Sequence, residues 1–554
     1  MSDSGSASQS SQAPSSSEKR RKKPAKPPKP WSRTSPDGPW DYIVVGSGMG
    51  GMTAAAFLAE LGKRVLVLEQ HYVPGGFTHT FPRKGYEWDV GVHAVGEVTR
   101  HSLTGRLLHS LTHGRLEWAS LGSVYESFQF PDGFKIEFPD SPKQFRANLI
   151  EAFPDEVEAI DAYFAKVREV GSTMRSYYLA RTVPKRWACP VDWLMARDAQ
   201  RYLEQSTAEV VAGLTDNPRL RTVLTAQFGY YGATPQQGSF AMQALVAKHF
   251  FHGGYYPVGG SGEIARQLLG TVKEKGGWTR ILADVEQILV EGGKACGVRL
   301  KGGEEIRSKR VISAIGVSPT VSRLLPDDLK QEPWSRSVTD LQAAPAHVCL
   351  YLGFKGDIGA VGASGANRWF YETWDSERDH WEIPAEGKIP PADILYCSFP
   401  SMKDPLHDPG PEQKHTGEVV TFVPWSLFEP WQGTVKGKRG PDYERLKKRI
   451  EDSLLDQFFG HMPELKPMLD FAELSTPLST DYFVRPNQGS IYGLKPTPER
   501  FRNPWLRPRS PIPRLFFAGS EVTSVGVIGA MMGGVLAAVA AEPIRAVRYL
   551  RPLA

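Results

Sequence analysis

Gly46-Ser-Gly48-Met-Gly50-Gly51 is the stretch of this 554-residue sequence whose residue types and spacing could hold a reactive group. Glycine at its first, third and sixth positions lets the backbone turn tightly, approach a pyrophosphate closely and pack the following helix on the preceding strand. Glu69 falls 23 residues after Gly46, where an acid hydrogen-bonds the ribose hydroxyl of an unphosphorylated adenosine, as in FAD or NAD. The glycine pattern alone recurs in ordinary turns, so its surroundings decide.

Those surroundings are in register. Asp41-Tyr-Ile-Val-Val45 reads as a buried parallel strand, Met52 to Leu61 as an Ala-rich helix whose free N–H groups face the loop, and Val65 to Leu68 as a second strand. Pro74-Gly75-Gly76 follows. From Phe77 to His93, small and polar residues alternate with aromatics, as in a loop beside a cofactor ring or a surface hairpin. Phe128 to Phe138 is a hairpin around Pro131-Asp-Gly133. Residues 142 to 251 show helical spacing, and Gly262 opens another helix to about Lys275. Short strands follow at Thr279 to Leu282, Val285 to Val290, Ala295 to Leu300, Glu305 to Arg307 and Val311 to Ser313. Ala346 to Leu352, Ile394 to Phe399 and Val419 to Pro424 are strand-like, and Tyr443 to Phe459 is helical. The apolar run from Val522 to Ala541 barely reaches the ~20 residues of a membrane span and is glycine-rich, so a helix packed tightly against a bound group is expected there.

Charge is uneven. Residues 1–40 carry eight basic and three acidic side chains, against 66 and 61 in the whole sequence, which leaves the remainder neutral. The tail has too little apolar surface for a core and reads as disordered: a solubilising arm, a tether to anionic lipid or a nuclear-type basic run. The basic balance thus belongs to the tail and says nothing of a nucleic-acid groove in the body, and no nucleic-acid partner is expected. Four cysteines lie far apart with no CxxC, which fits a reducing compartment, and no apolar h-region marks a secretory signal. An intracellular protein, cytoplasmic or peripheral to a membrane, is expected. Tyr177-Tyr178-Leu179, Lys185-Arg186-Trp187 and Trp193-Leu194-Met195 mix apolar and cationic groups, as in proteins seated in the headgroup layer or as core aromatics among solvated charges.

With both ends in hand, the chain resembles the phytoene desaturase, carotenoid isomerase and retinol saturase group of FAD-dependent oxidoreductases. The resemblance rests on the glycine loop, Glu69-Gln70, Pro74-Gly75-Gly76, Tyr256-Pro257-Val-Gly259-Gly260, Gly519-Ser-Glu521 and Gly526-Val527-Ile528-Gly529-Ala530. It implies FAD with its pyrophosphate at Gly46, Ser47, Gly48, Met49, Gly50 and Gly51. The adenosine would lie at Glu69 and Gln70, the adenine near the Val285 backbone, and further contacts at Gly75, Gly76, Phe77, Gly519, Glu521, Val527 and Ile528. Phe77 stands where many relatives carry a cation, and Glu521 where Asp is usual.

The fold class expected is α/β: a discontinuous Rossmann-like FAD domain (41–141, 255–343, 487–554) with a mostly helical insertion (142–254) and a mixed α+β substrate domain (344–486). The implied function is saturation, desaturation or isomerisation of C=C bonds in a long apolar polyene, a carotenoid or retinoid, at a membrane surface. An amine or amino-acid oxidase and a lipid-binding escort share the architecture and stand as alternatives. Proton carriers would come from His93, Tyr230, Tyr231, His249, His252 or Glu521. No second complete GxGxxG is present, so electrons would pass to or from an external quinone, oxygen or protein partner.

Overall fold

The computed structural model describes residues 28–183, 185–378 and 380–553. Residues 1–27 and the side chains of Lys185, Arg186 and Trp187 lie outside the described residues. The tail expectation is corrected at its end: Ser32 pairs with the strand Trp278–Ile281 through Ser32 N–H to Thr279 O (3.2 Å) and Ile281 N–H to Ser32 O (2.9 Å). Trp31 packs on the core, which is what anchors so polar a segment.

Two seven-stranded sheets organise the molecule. In the first, the opening strand Trp40–Val45 lies parallel to Val65–Glu69 on one side and to Glu305–Ser313 on the other. Leu515–Phe517 joins Glu305–Ser313 from the far end of the chain. The two short strands expected at 305–307 and 311–313 are one strand. Its first half pairs antiparallel with Lys294–Leu300 and its second half enters the parallel sheet. Alternation sorts the faces. Tyr42, Val44, Val65 and Val67 pack under the helices Met49–Glu60, Gly262–Glu274 and Gly526–Ala541, while Ile43, Val45, Leu66 and Leu68 join a second core.

The second sheet runs in the order Leu469–Ser475, Ala346–Lys355, Lys414–Val423, Ile394–Ser398, Asn367–Tyr371, Val124–Gln129, Lys135–Pro139. The hairpin assigned from sequence to the first nucleotide-binding segment therefore sits at the edge of this other sheet. Phe128 and Phe138 need an apolar face to cover, and the helical insertion supplies it. One face packs on that insertion, with Val157–Ala180 and Phe240–His249 at its centre. The opposite face carries Val348, Leu350, Leu395, Cys397 and Val419 beneath the helix Pro441–His461. Phe77 to His93 contains a hairpin, Thr80–Arg83 with Tyr86–Asp89, followed by a segment that reaches the site. Among the described residues no helix is long and apolar enough to cross a membrane.

Candidate active site

A cavity of about 730 Å³ lies between the two sheets. At one end its wall is the glycine loop. Gly46 holds φ +91°, and a Cβ there would come within 2.8 Å of Ile315. A Cβ on Gly48 would meet nothing within 4 Å, so the loop presents bare backbone to the cavity. Neither the Met49–Glu60 helix nor the Gly526–Ala541 helix has a side-chain N-cap, and both begin on the cavity wall. Two sets of unclaimed N–H groups and two positive dipole ends thus converge where a pyrophosphate would lie. Glycines allow that convergence. A Cβ on Gly50 would stand 2.6 Å from Gly519 Cα, one on Gly533 2.0 Å from Gly519 O, and one on Gly534 2.2 Å from Gly50 O.

Glu69 is fixed by the loop it serves. Its carboxylate accepts from Ser47 N–H (2.9 Å), Ser47 Oγ–H (2.6 Å) and His71 N–H (2.8 Å), and it reaches the cavity wall. Met49, Gly76, Phe77, Gln70, Val285, Gly519, Val527 and Ile528 also line the cavity. Gly51 and Gly75 stand behind that wall. A Cβ on Gly51 would meet Gly46 O at 2.0 Å, and Gly75 donates its N–H to Ser47 Oγ. Their work is to shape the loop.

The other end of the cavity is a face of the second sheet. Strand register lays side chains out in rows across it. Val420, Tyr396 and Trp369 form one row that lines the cavity, and Phe422 and Ile394 begin the next. Met242, Leu245, Val246 and Phe250 from the insertion close the opposite side. Beside the aromatic row lies a polar one. Glu418 pairs with Ser398, Asn367 stands next to the Arg368–Cys397 pair, and Asn367 pairs with Glu126. All four are buried, and Lys403, buried as well, donates to Ser398 Oγ (2.7 Å), Asn367 Oδ1 and the His93 carbonyl (2.7 Å).

Burial moves these groups toward neutrality. It pushes the Glu126 carboxyl up to about 7, although Tyr230, Gln227 and Trp369 donate to it. Glu418 is pushed up to about 8 by burial, against the pull of Lys403, and Asp89 to about 6. Burial lowers Lys403 to about 7 while the carboxylates around it oppose the shift.

The proton carriers expected from sequence divide. His93 and Tyr230 line the cavity. Tyr231 does not: it is fully buried in the insertion's core with an unpartnered hydroxyl. His252 is exposed, because Phe250 and Phe251 take the inward positions of the turn after the 240–249 helix. His249 lines the cavity, but its Nε2 accepts from Gly96 N–H (2.7 Å) and its Nδ1 lies 3.6 Å from Glu97, which makes it a strut. Glu521 also lines it, with Oε2 held by Val317 N–H (2.6 Å) and Ser318 N–H (3.0 Å). Lys403, Glu418, Glu126 and Asn367 were not anticipated. No local pattern marks them, since only strand register brings them together.

A dinucleotide site built on two bare helix ends, opening onto a dry aromatic chamber, defines a flavin-dependent oxidoreductase. The comparisons agree: residues 49–541 match the family described as flavin containing amine oxidoreductase, and the chain belongs to it. FAD is its cofactor, and the residues above fit that group. All-trans-retinol 13,14-reductase of Homo sapiens is 33% identical over 525 residues, covering 90% of this chain and 84% of that protein. A Danio rerio protein described as an inactive all-trans-retinol 13,14-reductase is 30% identical over 518 residues, covering 90% and 85%. Prolycopene isomerase of Daucus carota is 26% identical, covering 82% and 72%. Among solved structures, a putrescine oxidase variant superposes with TM-score 0.59 at 15% identity, covering 91% of this chain and 99% of that one. Cyclohexylamine oxidase from Brevibacterium oxydans gives 0.56 at 17%, covering 92% and 99%. At these identities the two structures speak to the fold.

Proposed function

We propose that this enzyme reduces one C=C bond of a long conjugated polyene, a retinoid or carotenoid. The observation that carries this reading is the chamber beyond the dinucleotide site, whose sheet face offers the aromatic and aliphatic side chains of Val420, Tyr396, Trp369, Phe422 and Ile394. Such a surface holds an extended apolar chain by burial and ring contact and excludes water from the reacting carbons. Relatives that reduce retinol or isomerise prolycopene support it. When bound, the flavin supplies a hydride at its N5. The protein's part is to lay the bond flat against that ring and to hold a proton within reach.

A substrate of this kind partitions into lipid, and the reading includes a peripheral membrane seat. Leu179 is 41% exposed, Trp193 68% and Leu194 76%, on two helices packed on each other, and Tyr178, next to Leu179, lines the cavity. Arg197 stands over the Trp193 ring, a cation beside the apolar group as a headgroup layer favours. Reducing equivalents then come from an external two-electron donor.

Anaerobic incubation of the dithionite-reduced holoenzyme with all-trans-retinol and a carotenoid panel tests the reading. A product with one C=C bond fewer by chromatography is the expected result. No polyene product, together with hydrogen peroxide released from amines in air, would replace it with amine oxidation, the reading favoured by the fold's amine-oxidising neighbours.

A further inference from the structure

Reduction of a C=C bond needs one proton for every hydride, and an apolar chamber has no water to give it. The buried polar row is a store of protons beside that chamber, whereas Glu521, also buried on the cavity wall, is held by the Val317 and Ser318 N–H groups. Glu418, Ser398, Asn367 and Glu126 come from four adjacent strands, and Lys403 caps the row from the segment after Ser398. Asn367 donates from Nδ2 to Tyr230 Oη (3.2 Å), and Tyr230 donates to Glu126, so hydrogen bonds link Ser398, Lys403, Asn367, Tyr230 and Glu126, while Glu418 stands beside Ser398 by strand register.

His93 joins this row to the cavity. Its Nδ1 lies 2.8 Å from Glu418 Oε2, close but out of line, and neither Glu418 oxygen has a well-formed hydrogen bond. The ring stands edge-on to Tyr396 at 5.1 Å and lines the cavity with 14% of its side chain accessible. With Nδ1 on the Glu418 side, Nε2 is the nitrogen left for the cavity.

We propose that His93 is the catalytic proton donor of this enzyme and that Glu418, held beside Lys403, reloads it. The inference rests on the polyene-reductase reading above. In the step, the Nε2 proton passes to the carbon next to the one that takes the hydride, while the Glu418 O–H proton moves to Nδ1. The π pair of the C=C bond forms the new C–H bond to that proton, the substrate gains two electrons and the reduced flavin loses them. The imidazole ends neutral in its other tautomer, the Glu418 carboxylate is left beside the Lys403 ammonium, and a solvent proton restores it. A neutral shuttle suits this ring, since burial and Lys403 lower His93 to about 3 and so no imidazolium is stored near neutral pH. Glu418 has the opposite shift, a carboxyl kept protonated to about pH 8 by burial. The other charged or titratable groups around the pair are Asp89, Glu126, Tyr256, His347, Cys349, Tyr351, Tyr396 and Lys403.

The test uses the flavin-loaded enzyme. H93Q, E418Q and Y230F are checked for flavin content and for retinol binding by quenching of protein fluorescence. Each is then reduced with dithionite and mixed with retinol for a single turnover. H93Q with normal binding is expected to fall about 100-fold, the lower part of the range for general-acid catalysis, and further than Y230F. E418Q is expected to move the alkaline limb of the pH profile. An H93Q rate within about threefold of wild type, or a Y230F fall larger than that of H93Q, overturns the assignment. A readout without substrate stands beside these. Infrared difference spectra of the holoprotein between pH 6 and pH 9 are expected to show protonated-carboxyl bands that titrate, of which the one titrating near pH 8 is absent from E418Q and kept in E126Q. Its absence from the wild type overturns the proton store. A wild type that shows the band yet reduces no polyene would count against the functional reading alone.

Discussion

The two ends of the cavity are built in opposite ways. The dinucleotide end is local: three glycines, a helix and an acid within 24 residues make most of it, and each part is held by backbone sterics. The sheet end is assembled from strands drawn from residues 124–129, 367–371, 394–398 and 414–423, and it exists only through their register. A site made by sterics tolerates no added atom. One made by register tolerates shape-conserving changes but not the loss of a partner, because Glu126, Asn367 and Lys403 are satisfied by their neighbours across the strands.

The sharpest way to break this comparison is at the helix contact. Gly534→Val puts atoms where Gly50 O already stands, and overpacking of this kind is expected to cost on the order of 3 kcal/mol and to release the flavin. A thermal melt and the visible spectrum of the purified variant would show both. Gly460→Ala, at a helical glycine with open space around it, is the matched control and should stabilise slightly.

At the sheet face, partner loss is the sensitive change. Glu126→Ala strands donors from Gln227, Tyr230 and Trp369 and is expected to cost about 2–3 kcal/mol, whereas Glu126→Gln keeps the shape and one acceptor and should cost clearly less. Denaturant midpoints of the pair measure the difference; equal losses would mean that shape alone holds the row.

Titration sharpens the same contrast more gently. Glu126 binds its proton more tightly folded, at about 7, than at its ordinary 4.5. The folded state therefore holds the extra proton between those values, and stability falls as pH rises from about 4.5 to 7. Lys403, lowered from 10.5 to about 7, acts with the other sign, but Glu418, raised to about 8, opposes it up to that value, so stability rises again between about 8 and 10.5. Glu126→Gln should flatten the fall between pH 5 and 7, read as melting temperature against pH, and a variant as steep as the wild type would remove Glu126 from the account. The smallest expected effect on stability lies outside both regions. Trp193→Glu with Leu194→Glu should leave the melt within about 0.5 kcal/mol of wild type while weakening sedimentation with anionic vesicles; unchanged sedimentation would move the membrane seat elsewhere.

How much was legible in the sequence follows the same division. The opening strand, the glycine loop, Glu69 and the closing helix were read from the residues, since backbone freedom and helix ends are properties of a few neighbours. His93 and Tyr230 were named as candidates, but so were Tyr231 and His252, because a side chain's facing is settled by the turn it sits in. The hairpin from Phe128 to Phe138 is legible as a hairpin but not its neighbours, since pairing beyond a turn depends on which face needs covering. Residues near in sequence declared the cofactor end by themselves. The row of Glu418, Ser398, Asn367 and Glu126 under Lys403 was decided by the tertiary structure alone, because a proton is shared only between groups within hydrogen-bond reach, and only strand pairing brings residues so far apart in the chain that close.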